Sequence, residues 1–527
     1  MNAFWIVDSR KLQEVSDAFY GWTIDSNRNV IVNSFPDVLD GTGSYSYIKK
    51  YINTVEIGQD FLGTHCLCMY NGSDFCVVSN SFFKLLQYLK NDGIKLTFNK
   101  DFGLQYLYCN EEPFSLNDTL VNEIKIIDNG LTIAIDQYGN IIELNEKFIP
   151  NRIEINEDSI VNILDKWYEK WIDVFRNLAK TDYHLILDLS GGLDTRIAFG
   201  MYTRANIDRN RVIINAYKPK TSKYEKTLTD WIISKKIVND YGYNNLNTEF
   251  CNDVQVNEEK DDTFETYYLG MSKKPYYSVY EYNNPVYHIT GEYGGRVHGS
   301  FPFTPCQWCD HITEKLIHYF YSQEDYEKFL MCNAKSVKSS IDEYGIKEEK
   351  EYLGDFLNLF YKRFYGKKML NKTSSNDICL SPFMDPMLHS LKNYIVDGDN
   401  EYNLSVFIIE RYFYHLIDYT IEGGRVISNE AKRRILELSD KVRYHSINYE
   451  KIDNVNNIKP VIKRNYNKSN TLDSLYDYAY ENKDLFLKYY NKDILYCGMD
   501  FDDEDFYTTH FFIPIVSIIK VLKEIDG

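Results

Sequence analysis

Short apolar runs separated by turn residues fill the first 150 positions: Phe4 to Val7, Asn29 to Val32, Thr64 to Tyr70, Phe75 to Val78, Glu123 to Ile127, Leu131 to Ile135 and Ile141 to Leu144. Their length and β-prone content predict an antiparallel, strand-rich unit. Between them stand Asn71-Gly72-Ser73-Asp74, Asp128-Asn129-Gly130 and Tyr138-Gly139-Asn140, whose residues tolerate positive φ, so each predicts a two-stranded hairpin. After Pro150 the period changes. Ile160, Ile163, Leu164, Trp167, Trp171, Val174 and Phe175 recur at helical spacing and predict a helix over 156–180. The run His184 to Ser190 then ends in a glycine pair, and a second strand-like run covers Val212 to Tyr217. Strands alternating with helices predict a parallel sheet. From about Ile312 onward the pattern is mostly helical, with Tyr and Phe supplying much of the apolar face. The chain thus reads as α/β, with one unit over 1–150 and a second over 155–527.

The length of 527 residues exceeds what one hydrophobic core usually serves, which agrees with two units. Acidic residues outnumber basic ones, 77 to 59, and the formal charge of −18 would repel a phosphate backbone, so nucleic acid is not expected as a partner. The longest apolar stretch, Phe511 to Leu522, is broken by Lys520 and falls short of the roughly 20 residues that a membrane span requires. The start, Met-Asn-Ala-Phe-Trp with Asp8 ahead of Arg10, lacks the basic and long apolar regions of a secretion signal, and a cytoplasmic location is expected. In that compartment the ten cysteines read as buried thiols rather than a disulfide framework.

Candidate chemistry concentrates at 185–198, where a buried strand runs into Ser190-Gly191-Gly192-Leu193-Asp194-Thr195 and the start of a helix. Two glycines let backbone amides approach a phosphate closely, Ser190 and Thr195 add hydroxyl donors, and the following helix offers its positive end. Asp194 alone would repel phosphate. Its presence makes sense if it holds Mg²⁺ against the phosphate oxygens. An ordinary tight strand-to-helix turn is the alternative reading. Elsewhere, Cys306-Gln-Trp-Cys309 has zinc or redox spacing but no second pair, and reads as two loop thiols. The acidic run Asp500 to Asp505 and the basic cluster Lys459 to Arg464 read as solvated surface.

The turn at Ser190 resembles the PP-loop of the ATP pyrophosphatases, in the Leu-Ser-Gly-Gly-Leu-Asp form of the asparagine synthetases. Asp230 to Gly242 is similar to that family's Asp-led helix ending in Gly, Ile289-Thr-Gly-Glu-Tyr-Gly-Gly-Arg-Val-His-Gly299 to its glycine- and acid-rich loop, and Leu380-Ser-Pro-Phe-Met-Asp385 to its Arg-x-Pro-Phe-Leu-Asp segment. Phe61 to Tyr88 and Asn122 to Ile142 are similar to the glutamine amidotransferase half of the same enzymes. The resemblance implies a degenerate Ntn-type αββα domain followed by a PP-loop adenine-nucleotide α-hydrolase-like domain with a parallel sheet and a helical C-terminal part. It implies a ligase that uses ATP and Mg²⁺ to adenylate a carboxylate for attack by an amine or ammonia. Ser190, Gly191, Gly192 and Thr195 would hold the pyrophosphate, Asp194 the metal, Arg296 the phosphates, and Glu292 would serve the amine as general base. The substrates implied are a small-molecule, peptide or sugar carboxylate and an amine, and a homodimer is compatible with it. One of Lys432, Lys459 and Lys463 would contact the adenylate.

Two departures qualify the resemblance. Asn2 stands where the amidotransferases carry a nucleophilic Cys, and a carboxamide cannot replace a thiolate, so no glutaminase activity is expected. Cys66 and Cys68 fall inside a predicted strand. This branch resembles the β-lactam synthetases and lasso-peptide cyclases, which also lack that Cys. In the loop after Gly291, Gly295 and Arg296 occupy the places of an Asp and a Glu. The rival expectation is a catalytically inactive nucleotide-binding or scaffold protein of the same descent.

Overall fold

The structure of the protein, a computed structural model, describes residues 4–108, 114–145, 157–216, 225–243, 246–247, 269–270, 286–294, 303–314, 323–360, 377–389, 391, 403–421, 469–492, 494–495 and 509–526. Asn2, the break at Pro150, Gly295, Arg296, Lys432, Lys459, Lys463 and Asp500 to Asp505 lie outside the described residues. The chain is mixed α/β, with antiparallel sheets early and a parallel sheet later.

The first half contains β1 (Ile6–Asp8), β2 (Ala18–Ile24), β3 (Val30–Val32), β4 (Gly43–Lys50), β5 (Thr54–Gln59), β6 (Cys68–Asn71), β7 (Cys76–Ser79), α1 (Phe82–Asn91), α2 (Lys100–Tyr108), β8 (Ile124–Ile126), β9 (Ile133–Asp136) and β10 (Ile141–Glu143). Two antiparallel sheets result, in the orders β1-β7-β6-β8 and β10-β9-β5-β4-β2-β3. Val7 and Val78 from the first and Val55, Ile57, Ile133 and Ile135 from the second are buried in one cluster between them. On the outer side of the first sheet lies α1, started by Ser81, whose hydroxyl accepts the Lys84 N–H at 3.3 Å. Phe82, Phe83, Leu85, Leu86 and Leu89 are its buried face.

The hairpins at Asn71–Asp74 and Tyr138–Asn140 close as expected, with Gly72 N donating to Phe75 O at 3.0 Å and Gly139 N to Asp136 O at 3.1 Å. The turn at Asp128-Asn129-Gly130 is not a hairpin. β8 pairs with β6, whereas β9 pairs with β5 and β10, so this turn carries the chain from one sheet to the other. Ile127 and Leu131 both enter the cluster between the sheets, and the Asp128 carboxylate is engaged by Asn117 Nδ2 and the Tyr344 hydroxyl. A second correction concerns Cys66, which sits in a turn at φ +43° ahead of the strand; Cys68 is the first residue of β6.

Asp60 is wholly buried at the end of β5, where its carboxylate accepts N–H bonds from Tyr45, Leu62 and Thr64 and a hydroxyl bond from Thr64. Burial pushes this carboxyl up to about 7 despite those bonds. The unfolded chain releases the proton near pH 4 and the folded chain only near pH 7, so the folded form binds more protons between these values. The stability Asp60 contributes is therefore full below about pH 4 and declines as pH rises to about 7. Asp60→Asn should remove this slope. Urea unfolding of both forms should show the wild type losing ground to the variant between those pH values and holding a constant difference above; a pH-independent difference would exclude the assignment.

The second half contains α3 (Glu157–Ala179), β11 (His184–Asp188), α4 (Leu193–Arg204), β12 (Val212–Asn215), α5 (Glu225–Asp240), β13 (Leu246–Asn247), β14 (Val286–Ile289), α6 (Pro305–Glu314), α7 (Gln323–Tyr344), α8 (Leu353–Phe360), β15 (Asp377–Leu380), α9 (Pro386–His389), α10 (Asn403–Phe413), α11 (Ser469–Glu481), α12 (Lys483–Leu487) and α13 (Thr509–Asp526). The expected helix over 156–180 is α3. Its Leu164, Trp167, Trp171, Val174 and Phe175 pack in one core with Leu185 and Leu187 of β11, Ile197 and Met201 of α4 and Ile408 and Tyr412 of α10. The parallel sheet runs in the order β13-β12-β11-β14-β15. The chain builds outward from β11 to one side, then crosses back to add β14 and β15 on the other. The boundary between β11 and β14 is thus the switch point of the sheet, where open α/β folds form a crevice at the carboxyl ends of the strands.

The two halves share a second core. Leu85, Leu86 and Leu89 of α1 and Phe102 and Tyr106 of α2 are buried together with Phe329 of α7, Phe356 of α8 and Phe512, Val516 and Ile519 of α13. From Phe512 to Leu522 the apolar side chains of this run are therefore buried inside the protein. Among the described residues no helix is long and apolar enough to cross a membrane.

Candidate functional site

At the carboxyl end of β11 the chain turns through Ser190, Gly191 and Gly192 into α4. Gly192 is the N-cap residue and supplies no side-chain bond to the helix start. The hydroxyls of Ser190 and Thr195 lie 3.0 Å apart, Thr195 Oγ1 accepts the Ser190 N–H at 3.0 Å, and Ser190 Oγ accepts the Gly192 N–H at 3.1 Å. These bonds fold the turn over the first residues of α4, beside helix amides that no N-cap side chain covers. That combination of amides, two hydroxyls and a helix N-terminus suits an anion.

The loop after β14 meets this turn directly. A Cβ on Gly291 would stand 2.5 Å from Thr195 N, and one on Gly294 would stand 2.2 Å from Asp194 Cγ. Ser190, Gly191, Gly192, Asp194, Thr195 and the loop carrying Glu292 are therefore brought to one crevice. Main-chain atoms fix Glu292: its N–H donates to Thr290 Oγ1 at 3.2 Å and its carbonyl accepts from Ser381 Oγ at 2.6 Å. The next residue, Tyr293, adopts φ +68°, a left-handed conformation that a bulky residue rarely takes. Gly291→Ala should displace the loop from α4, because the contact is with backbone that cannot rotate aside. The expected cost is about 1–3 kcal/mol in urea unfolding, with loss of any ligand bound across the two loops; unchanged unfolding would show that the loops are not locked together.

Asp230, the head of the Asp-led helix noted in the sequence, also reaches the crevice, with several residues that carry no sequence signal of their own. Asp230 of α5 abuts the turn so closely that a Cβ on Gly191 would lie 2.3 Å from its Oδ1. Ser234, one helical turn on, donates to Leu189 O at 3.1 Å. Arg196 is fully buried, and its guanidinium donates to the carbonyls of Gly191, Leu416, Tyr419 and Thr420 at 2.8–3.1 Å. Burial lowers its pKa to about 10, which leaves it charged at neutral pH. It ties the turn to the chain beyond α10. On the sheet itself, Asp188 Oδ1 lies 2.6 Å from His288 Nε2 and accepts Asn215 Nδ2 at 2.9 Å, which joins the ends of β11, β12 and β14 through polar side chains.

Asp194 is the carboxylate in the first turn of α4, beside the Ser190 turn. Among the described residues no group of three or more His, Cys, Asp or Glu could hold a metal by itself. A single carboxylate still fits Mg²⁺, which keeps several waters and commonly takes one or two protein carboxylates plus phosphate oxygens. Cys306 and Cys309 are not loop thiols as the sequence suggested but lie in the first turns of α6. Burial and the neighbouring Glu348 push the Cys306 thiol up to about 12, so it is a poor metal ligand or nucleophile. A cleft of about 650 Å³ lies away from the crevice, between α2 and α7. Its polar side chains bond one another, as in Lys125 with Asp118 and Gln105 with Ser336, and no function is assigned to it. Compared with known proteins, the chain matches no family model and no curated protein.

Proposed function

We propose that the chain is an ATP-dependent, AMP-forming amide ligase of the asparagine-synthetase type, with the Ser190 turn as its pyrophosphate site. One observation carries the reading: a Ser-Gly-Gly-Leu-Asp turn leaves the central strand of a parallel 3-2-1-4-5 sheet at its switch point and interlocks there with the Glu292 loop. The face-to-face antiparallel sheets with α1 and α2 outside support an Ntn-type first half, and the sheet order supports a PP-loop second half. Ser190, Gly191, Gly192 and Thr195 would bind the β- and γ-phosphates through amides and hydroxyls. Asp194 would hold Mg²⁺, which supplies charge neutralisation at the phosphate oxygens.

The substrate carboxylate attacks the α-phosphorus and pyrophosphate leaves; an amine then attacks the acyl carbon, AMP leaves, and the amine proton passes to a base. Glu292 is assigned that role, with Arg296 assigned to the phosphates. The carboxylate is a small molecule, a peptide or a sugar acid, the amine is part of a substrate or free ammonia, and the protein works in the cytoplasm. Release of pyrophosphate from Mg·ATP, measured against panels of carboxylates and amines, should require both Mg²⁺ and one carboxylate class. Absence of nucleotide binding by calorimetry would refute the reading. Binding without pyrophosphate release from any substrate would favour an inactive nucleotide-binding scaffold, the reading that Gly295 supports by replacing the family's metal-assisting acid.

A further inference from the structure

Lys170 lies mid-way along α3 with its side chain 1% exposed, and its ammonium joins the two halves of the chain. Its Nζ is 2.7 Å from Asp40 Oδ2 and 2.8 Å from Thr42 Oγ1 in the first half, and 2.9 Å from Asp385 Oδ2 in the second. Asp385 is fully buried; its Oδ2 also accepts Trp171 Nε1 at 3.1 Å and its Oδ1 the Met387 N–H at 3.0 Å. Trp167 Nε1 binds Pro382 O at 2.8 Å. The segment from Pro382 to Asp385 is therefore held along its length by α3. Ser381, at the head of that segment, donates to the carbonyl of Glu292, and Leu380 O accepts the Thr290 N–H at 2.8 Å.

We propose that Asp40, Thr42, Lys170 and Asp385 are positioning residues for the Glu292 loop, so that the first half serves the second as the scaffold of its active site. The inference rests on the role of Glu292 proposed above. Two independent observations support a positioning role over simple adhesion. The path from Asp40 to Glu292 is continuous: Asp40 to Lys170, Lys170 to Asp385, the Pro382–Asp385 segment to Ser381, and Ser381 to the Glu292 carbonyl. Tyr293, beside Glu292, occupies a backbone conformation that persists only where the surroundings over-determine it. The path does not run through β11, so a loosened loop should be distinguishable from a general loosening of the sheet.

Asp40→Ala tests the idea because Asp40 is partly exposed, which makes loss of the fold avoidable, and Asp40→Glu serves as the charge-preserving control. Hydrogen exchange on the full chain should accelerate at least tenfold at the amides of Glu292, Gly294, Phe383 and Met384, with β11 unchanged. Pyrophosphate release should lose at least tenfold in kcat, and Asp40→Glu should restore part of it. Unchanged exchange at these amides, or an equal loss in every strand of the sheet, would overturn the proposal. If the wild type releases no pyrophosphate, the ligase reading fails, and the exchange result still decides whether Asp40 governs the Glu292 loop.

Discussion

Lys170→Met is expected to destabilise the protein by about 3–5 kcal/mol, the range for breaking a buried ion pair by removing one partner. The change itself is nearly isosteric. Its cost comes from Asp385, which is fully buried and would keep its bonds to Trp171 and Met387 but lose the ammonium that neutralises it. Burial already holds the Asp385 carboxyl above the usual carboxylate range with Lys170 present. Asp40 loses the same partner at lower cost, since it is 36% exposed and water can replace the ammonium. Urea unfolding gives the measurement. The double variant Lys170→Met with Asp385→Asn should recover part of the loss, because neither charge is then left unpaired. A single-variant loss below about 1 kcal/mol would mean that the pair behaves like a surface contact.

Asp194→Ala should reduce Mg·ATP affinity by about 10- to 100-fold, equivalent to losing one charged interaction of about 1.5–3 kcal/mol. The fold should survive. Asp194 lies in the first turn of α4, half-buried against Gly294, and an acid in that turn adds only about 0.3–1 kcal/mol to a helix. Removing the side chain also relieves no strain, because the close approach at Gly294 is met by a glycine. Calorimetry with and without Mg²⁺ separates the effects: the variant should bind ATP weakly and show no dependence on the cation. Equal, Mg²⁺-dependent affinity in both forms would place the metal elsewhere and remove the phosphate role of the Ser190 turn.

Legibility of the chain follows the distance over which its information is local. The strand, glycine pair, acid and helix at 185–198 lie within one supersecondary unit, so the residue order already implies the turn. The helix at 157–179 shows its period because its core face is a stripe of Leu, Trp, Val and Phe. By contrast, β2 and β4 escape pattern reading. Both are buried on both faces, with polar residues inside: Ser44 bonds to Thr64, and Ser46 to His65. Alternation vanishes when hydrogen bonds satisfy the inward polar groups. Helices α1 and α2 escape for a related reason, since a rich apolar content among short strands looks like more strand.

Sequence by itself determined the composition of each element and the local chemistry of the Ser190 turn, because propensity, hydrophobic period and glycine placement act between near neighbours. It could not determine partners. Lys170 sits in α3 where the pattern alone reads it as an ordinary polar position, yet its carboxylates are 130 residues earlier and in a segment after β15. Arg196 and His288 likewise carry no local sign of the carbonyls and the carboxylate they meet. Only the tertiary structure decided that Asp128–Gly130 crosses between sheets, that α13 covers the first half, and that the Glu292 loop closes on α4. Each depends on which buried surfaces find one another, and a hydrophobic or charged side chain specifies that it must be covered, not by what.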